Sequence, residues 1–274
     1  FMEESAEILS GAGLDIYLLP RELPTPVLAF AVNDLKMDCG IMVTASHNPA
    51  IDNGYKVYLG GNVDGINFRG SQIIAPIDKE VSRLISEVSL PSPRGSSWKI
   101  VGEELIQHYV STCAEGSSEA TAQKIVYTAM HGVGTQTLLS VFEASNFSTP
   151  ILVEQQCKPD PDFPTVEFPN PEELGAMDLA IKLAISESAD LVIANDPDAD
   201  RCAVAAKDLA GTWRTLRGEE LGIILGHYIS KSQRVVGKTF ATTIVSSSAL
   251  EKIAKNCGAN FQETLTGFKY LSKI

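Results

Sequence analysis

Short apolar segments alternate with longer stretches of helical spacing through the whole chain, and this alternation restricts the fold more than any other feature. Leu191–Ala194 is apolar at every position, as a strand buried on both faces must be. Gly40–Thr44, Lys124–Met130 and Ile151–Glu154 are similar short runs, and strands are also expected at Leu14–Leu19, Tyr55–Leu59, Cys202–Ala206, Thr239–Val245 and Phe261–Thr264. Helices are expected over residues 2–10, from Pro24 and Pro26 to about Leu35, and over Asp78–Val88, Glu103–Cys113 and 134–144. Three more follow, one from Pro171, Glu172 and Glu173 to about Ser186, where proline and acids suit a helix start, then Glu219–Ile229 and Ala249–Asn256. Such a series builds an α/β protein with mixed or parallel sheets, and its recurrence in each third of the chain points to repeated domains. Pro91–Ser97 is punctuation and is read as a loop.

Charge and hydropathy remove several function classes. Lys and Arg number 22 against 34 Asp and Glu, a net charge of −12 that argues against nucleic-acid binding. An anion could bind such a surface only where local cations or a metal ion gather. No apolar run reaches the ~20 residues of a membrane span, so no membrane partner is expected. Cys39, Cys113, Cys157, Cys202 and Cys257 are scattered without metal-like spacing and are read as reduced thiols of a cytoplasmic protein. Phe1–Gly11 reads as neither signal peptide nor anchor, and the two chain ends lead us to expect a fragment.

Two loops carry chemistry. Asn195-Asp196-Pro197-Asp198-Ala199-Asp200-Arg201 follows an all-apolar strand, where ligands of open α/β sheets sit. If the three carboxylates converge to ~5 Å, each pair repels by roughly 3 kcal/mol at an effective dielectric of ~20. A hard divalent cation relieves that repulsion, and carboxylate oxygens suit Mg²⁺. The alternative is a solvated acidic turn whose charges point apart, against which the adjacent Arg201 guanidinium speaks, being useful when a metal carries phosphate. The second loop, Thr44-Ala45-Ser46-His47-Asn48-Pro49, presents Ser46 at an exposed turn beside two hydrogen-bonding side chains. Ser46 needs activation by a base or a metal, and no GxSxG elbow points to acyl transfer. Lys56 shares a strand face with Tyr58; by spacing alone it could equally be a solvated lysine.

TASHNP at 44–49 with NGYKVY at 53–58, then NDPDADR at 195–201 with TGFK at 266–269, resembles the α-D-phosphohexomutase superfamily in order and spacing. PNPEE at 169–173, WR at 213–214 and GEELG at 218–222 make it most similar to the bacterial phosphoglucomutase, phosphomannomutase or phosphopentomutase branch. The resemblance implies domains around a central cleft, here residues 1–118, 119–215 and 216–274, with the start of the first, the end of the third and the whole fourth missing. It implies that Ser46 carries the transferred phosphoryl group and that Asp196, Asp198 and Asp200 bind one Mg²⁺, the Ser46 phosphate adding a ligand. His47, Lys56 and Arg201 would assist catalysis, Lys56 by acid–base or electrostatic means. Asn48, Gly267, Lys269 and His131 would contact substrate, although a structural role fits His131 as well.

The implied reaction converts glucose or mannose 1-phosphate to the 6-phosphate through a bisphosphorylated sugar, which also serves as activator, in a cytoplasmic monomer or homodimer. Pentose phosphates are the alternative substrates, and a non-catalytic sugar-phosphate-binding fragment is the alternative class. A phosphatase with an aspartate nucleophile would want a hydroxyl residue close behind its acids, where Arg201 and Cys202 stand instead.

Overall fold

Pro24 caps and Pro26 opens the helix that organises the first third, since a proline in the first turn gives up no hydrogen bond. The computed structural model describes residues 1–63, 65–89, 92–115, 122–231 and 235–274. The first unit runs α1 (Met2–Gly11), β1 (Tyr17–Leu18), α2 (Thr25–Asp34), β2 (Cys39–Val43), β3 (Tyr55–Leu59), β4 (Asn62–Val63), β5 (Ile66–Asn67), β6 (Ser71–Gln72), α3 (Ile77–Glu87), β7 (Lys99–Ile100) and α4 (Glu103–Ala114). Strands β2, β3 and β6 form an antiparallel sheet in that order, with Met42 opposite Lys56. Val27, Ala31 and Val32 of α2 are buried, as are Tyr58 and Phe68.

The second unit holds β8 (Ile125–Thr128), α5 (Gly134–Ala144), β9 (Ile151–Leu152), a 3-10 turn at Glu154–Gln156, α6 (Asp178–Ser186), β10 (Leu191–Asn195), β11 (Cys202–Lys207) and β12 (Trp213–Thr215). Its five strands lie in the order β12-β11-β10-β8-β9, parallel from β10 through β8 to β9 and antiparallel on the other side. Val126, Val192, Ala194 and Ala205 pack there with Met130, Ala180 and Ala184, all without solvent exposure. The middle strand β10 therefore delivers its following loop from a fixed position.

The third unit is smaller: α7 (Gly218–Ser230), β13 (Thr239–Thr243), α8 (Ala249–Asn256), β14 (Asn260–Thr264) and α9 (Phe268–Leu271), with β13 and β14 parallel. Its link to the first unit runs through Lys273, whose Nζ lies 3.7 Å from the centre of the Phe68 ring and donates to the Gln72 carbonyl at 3.0 Å.

The expected α/β architecture is present in three successive units. Several element bounds differ from expectation. The helix foreseen from Pro171 starts at Asp178, because residues 172–177 form turns and Gly175 adopts a left-handed φ of 85° that a helix cannot include. The strand expected over Leu14–Leu19 pairs only at Tyr17 and Leu18, and the one at Ile151–Glu154 stops at Leu152, one residue short of the 3-10 turn that starts at Glu154. The short strands β4 to β7 and β12, and the single-turn α9, carry too few residues for a periodic signal. The expected division between 118 and 119, and Pro91 of the expected loop, lie outside the described residues, while the division between 215 and 216 falls just after β12. All five cysteines are free thiols, and among the described residues no helix is long and apolar enough to cross a membrane.

Candidate active site

The loop after β10 and the loop between β2 and β3 meet. Ser46 Oγ donates towards Asp196 Oδ2 and Asp198 Oδ1, each at 3.1 Å, across 150 and 152 residues of sequence. Lys56, one strand register beyond the loop, reaches the same point, its Nζ donating to Asp198 Oδ2 at 2.7 Å, Asp200 Oδ2 at 2.5 Å and Ser46 Oγ at 3.4 Å. His47 Nδ1 lies 3.3 Å from Ser46 Oγ. Five of the expected residues beside Ser46 are thus within one hydrogen-bonded group.

Backbone geometry aims these side chains. Ser46 has φ of 57° and Ala199 of 53°, a left-handed conformation that non-glycine residues adopt at a cost and that collects at functional turns. Thr44 Oγ1 accepts the Ser46 N–H at 2.8 Å and holds the first of these turns. In the second, the Ala199 N–H donates to the Asp196 carbonyl at 2.9 Å, and the Arg201 N–H donates to Asp196 Oδ1 at 2.9 Å. Tyr127 OH donates to Asn195 Oδ1 at 2.9 Å, and Asn195 Nδ2 to the Arg201 carbonyl at 2.6 Å, which ties the loop to β8.

Electrostatics show what the cluster lacks. One oxygen from each of Asp196, Asp198 and Asp200 lies within 4.8 Å of the others. Burial pushes the Asp196 carboxyl up to about 7, and the charges of Asp198 and Asp200 add to the shift. Burial opposes ionisation of Asp198 too, but the Lys56 ammonium outweighs it and holds that carboxyl below its usual range. Lys56, despite its own burial, is held protonated by Asp198 and Asp200. Burial, with Arg201 adding, pushes the His47 imidazole down towards its neutral form. One ammonium faces three carboxylates, so the group can accept a further hard cation, and its oxygen-only donors fit a metal ion.

The other expected residues are placed differently. Asn48 is exposed, and its side-chain amide has no hydrogen-bond partner among the described residues. Gly267 caps α9 with φ of 127°, and Lys269 Nζ stands 5.4 Å from the Tyr270 ring centre, both in the third unit. The Arg201 side chain is exposed beside the cluster. His131 is buried and pairs through Nε2 with Thr165 Oγ1 at 2.8 Å, outside the group around Ser46. The sequence reading missed Thr25, whose Oγ1 donates to Asp198 Oδ2 at 2.8 Å and whose N–H donates to the Asp198 carbonyl at 2.9 Å. Only its seat between Pro24 and Pro26, at a helix start, could have singled it out.

Comparison with known proteins identifies the family of the chain. Residues 1–84, 103–211 and 217–273 match the sequence models of phosphoglucomutase/phosphomannomutase alpha/beta/alpha domains I, II and III. A protein of Haemophilus influenzae named "Probable phosphomannomutase" is 46% identical over 279 residues, covering 100% of this chain and 56% of the relative. The human "Phosphopentomutase" is 38% identical over 294 residues, covering 99% of this chain and 47% of its own length. The fold is shared with a phosphoglucomutase/phosphomannomutase family protein of Burkholderia thailandensis at a TM-score of 0.75 and 22% identity, over 96% of this chain and 54% of that one. The chain spans about half the length of these relatives. It belongs to the phosphoglucomutase/phosphomannomutase family.

Proposed function

We propose that the protein containing this chain is a reversible phosphomutase that moves a phosphoryl group between two hydroxyls of one sugar, as between glucose or mannose 1-phosphate and the 6-phosphate. The observation that carries this reading is Ser46 Oγ lying 3.1 Å from both Asp196 and Asp198. Ser46 would hold the phosphoryl group as phosphoserine. Asp196, Asp198 and Asp200 would hold one Mg²⁺, which when bound neutralises charge on the phosphoryl oxygens. The relatives' names supply the reaction class, and the oxygen-only cluster with its raised Asp196 supports the metal.

Outward transfer breaks the Oγ–P bond and forms a bond from phosphorus to the sugar hydroxyl. The electron pair stays on Oγ, and Lys56, held protonated 3.4 Å away, supplies its proton. The attacking hydroxyl passes its own proton to an oxygen of the phosphoryl group it receives. On return, Lys56 takes the proton back as Oγ attacks the other phosphate of the bisphosphorylated sugar; the sugar O–P bond breaks, and the leaving oxygen keeps the electron pair and takes a proton from an oxygen of the departing phosphoryl group. His47, mostly neutral, orients Oγ and the phosphate, and Arg201 meets phosphate charge from the exposed side. Asn48, Gly267 and Lys269 are assigned to substrate, and the domain limits to 118/119 and 215/216. The protein is read as a cytoplasmic monomer or homodimer acting on a small sugar phosphate; the free thiols suit a reducing compartment.

Incubating the full-length protein with Mg²⁺ and glucose 1,6-bisphosphate should add one phosphate to the peptide containing Ser46. A phosphate found elsewhere, or none, refutes the assignment. The phosphopentomutase relatives favour a pentose phosphate as second reading, and a coupled assay of the full-length protein on glucose, mannose and ribose 1-phosphates separates the two.

A further inference from the structure

Behind the aspartate loop lies a second set of linked polar side chains that the transfer chemistry does not use. Thr128 at the end of β8, Gln156 in the 3-10 turn and His131 are all buried. Thr128 Oγ1 donates to Gln156 Oε1 at 2.5 Å and accepts the Met130 N–H at 3.0 Å. Gln156 Nε2 donates to Thr165 Oγ1 at 2.8 Å, and the same hydroxyl shares a 2.8 Å hydrogen bond with His131 Nε2. Backbone bonds close the set: the His131 N–H donates to the Gln156 carbonyl at 3.0 Å, and the Asp160 N–H to the His131 carbonyl at 2.9 Å. Buried polar groups linked in this way specify one arrangement of the chain, because any partial rearrangement leaves a group unpaired.

The arrangement they specify is unusual. Met130 and His131 have φ of 48° and 61°, two consecutive left-handed residues without glycine, a conformation that persists only where the surroundings hold it. The turn they make drives Gly132 into Pro197, so closely that a Cβ on Gly132 would lie 2.2 Å from the Pro197 Cα and carbonyl oxygen. The next N–H, of Val133, donates to the Pro197 carbonyl at 2.9 Å. Pro197 separates Asp196 from Asp198, so the contact bears on the residue that sets the spacing of the two buried carboxylates.

We propose that His131, together with Gln156 and Thr165, is a positioning residue of the cation cluster, holding the 130–133 turn against Pro197 so that Asp196 and Asp198 face one point. This rests on reading the three aspartates as a metal site. His131 then acts through the backbone, without touching substrate. Groups that orient metal ligands in this manner are typically worth 10–100-fold in affinity.

The test is Mg²⁺ binding to the full-length protein by calorimetry, with circular dichroism confirming the fold of each variant. Thr165→Val removes the shared hydroxyl at an exposed residue and should weaken Mg²⁺ binding about 10–100-fold, as should His131→Ala. Thr165→Ser keeps the hydroxyl and should bind within about twofold of the parent, a rescue that loss of packing alone would not produce. If His131→Ala does not fold, the two Thr165 variants decide. A folded Thr165→Val that binds Mg²⁺ like the parent overturns the positioning role alone. A parent chain that binds no Mg²⁺ overturns the metal reading itself, and this inference with it.

Discussion

The aspartate loop leaves the middle strand of a five-stranded sheet, whereas the serine loop joins β2, at an edge, to β3 in a sheet of three. Around the first, Asp196 is fully buried, Pro197 is gripped by Gly132 and Val133, and Asn195 is clamped by Tyr127. Around the second, the Thr44 hydroxyl and a backbone bond from Thr44 to Gly54 do most of the holding, and residues 48–53 face solvent, Ile51 at 92% exposure. One partner is fixed by packing on every side, and the other is held at its root and free at its tip. A cluster of like charges needs the first kind of support, since its carboxylates repel until a cation arrives. A serine that takes up and releases a phosphoryl group, the role proposed for Ser46, is served by the second.

The largest expected effect tests the meeting point itself. Ser46→Ala should abolish phosphate uptake from glucose 1,6-bisphosphate as read by peptide mass, and leave Mg²⁺ binding within a few-fold, because the three carboxylates stay in place. Next comes the contrast in packing. Gly132→Ala pushes a methyl into Pro197 backbone and should destabilise the chain by about 1–3 kcal/mol in urea unfolding while weakening Mg²⁺ binding. Gly54→Ala meets the Thr44 carbonyl at 3.0 Å, a gap the exposed loop can open, and should cost less than about 1 kcal/mol. Equal losses would show that the two loops are equally rigid.

A pH experiment sharpens the comparison from the electrostatic side. In cation-free protein the raised Asp196 binds its proton more tightly folded than unfolded, so the stability it contributes is present below the usual carboxylate range near 3.8 and is lost as pH rises through about 7. Asp196→Asn keeps an oxygen for the Arg201 N–H and removes that dependence. In chelator at pH 8 the variant should be more stable than the parent by up to roughly 4 kcal/mol, and the difference should largely vanish near pH 4. A variant less stable at both pH values would mean that Asp196 is not strained by its surroundings. The smallest effect belongs to Asn48→Ala at the exposed tip, expected within about 0.5 kcal/mol of the parent in unfolding.

Much of this was legible locally. The strands at Tyr55–Leu59 and Leu191–Ala194 and the helices at Glu103–Ala114 and Ala249–Asn256 carry their periodicity in a few consecutive residues, and the two loops announce their chemistry in six or seven. The start of α6 was misread because proline and acids are compatible with a helix start, while Gly175, which prevents one, acts through a backbone angle. Nothing in the composition of residues 161–171 said that Thr165 would bond a histidine and a glutamine at once.

Residue order therefore determined the layered α/β plan and the kinds of group available for catalysis, since both follow from short-range spacing and side-chain chemistry. That Ser46 and Lys56 meet the aspartates was implied only by family resemblance; the tertiary structure alone decided that Thr25 joins Asp198, 173 residues away, and that His131 turns inward to Thr165. Such meetings depend on how sheets and helices pack once formed, and the directions in which buried side chains are then forced to point are written in no single stretch of sequence.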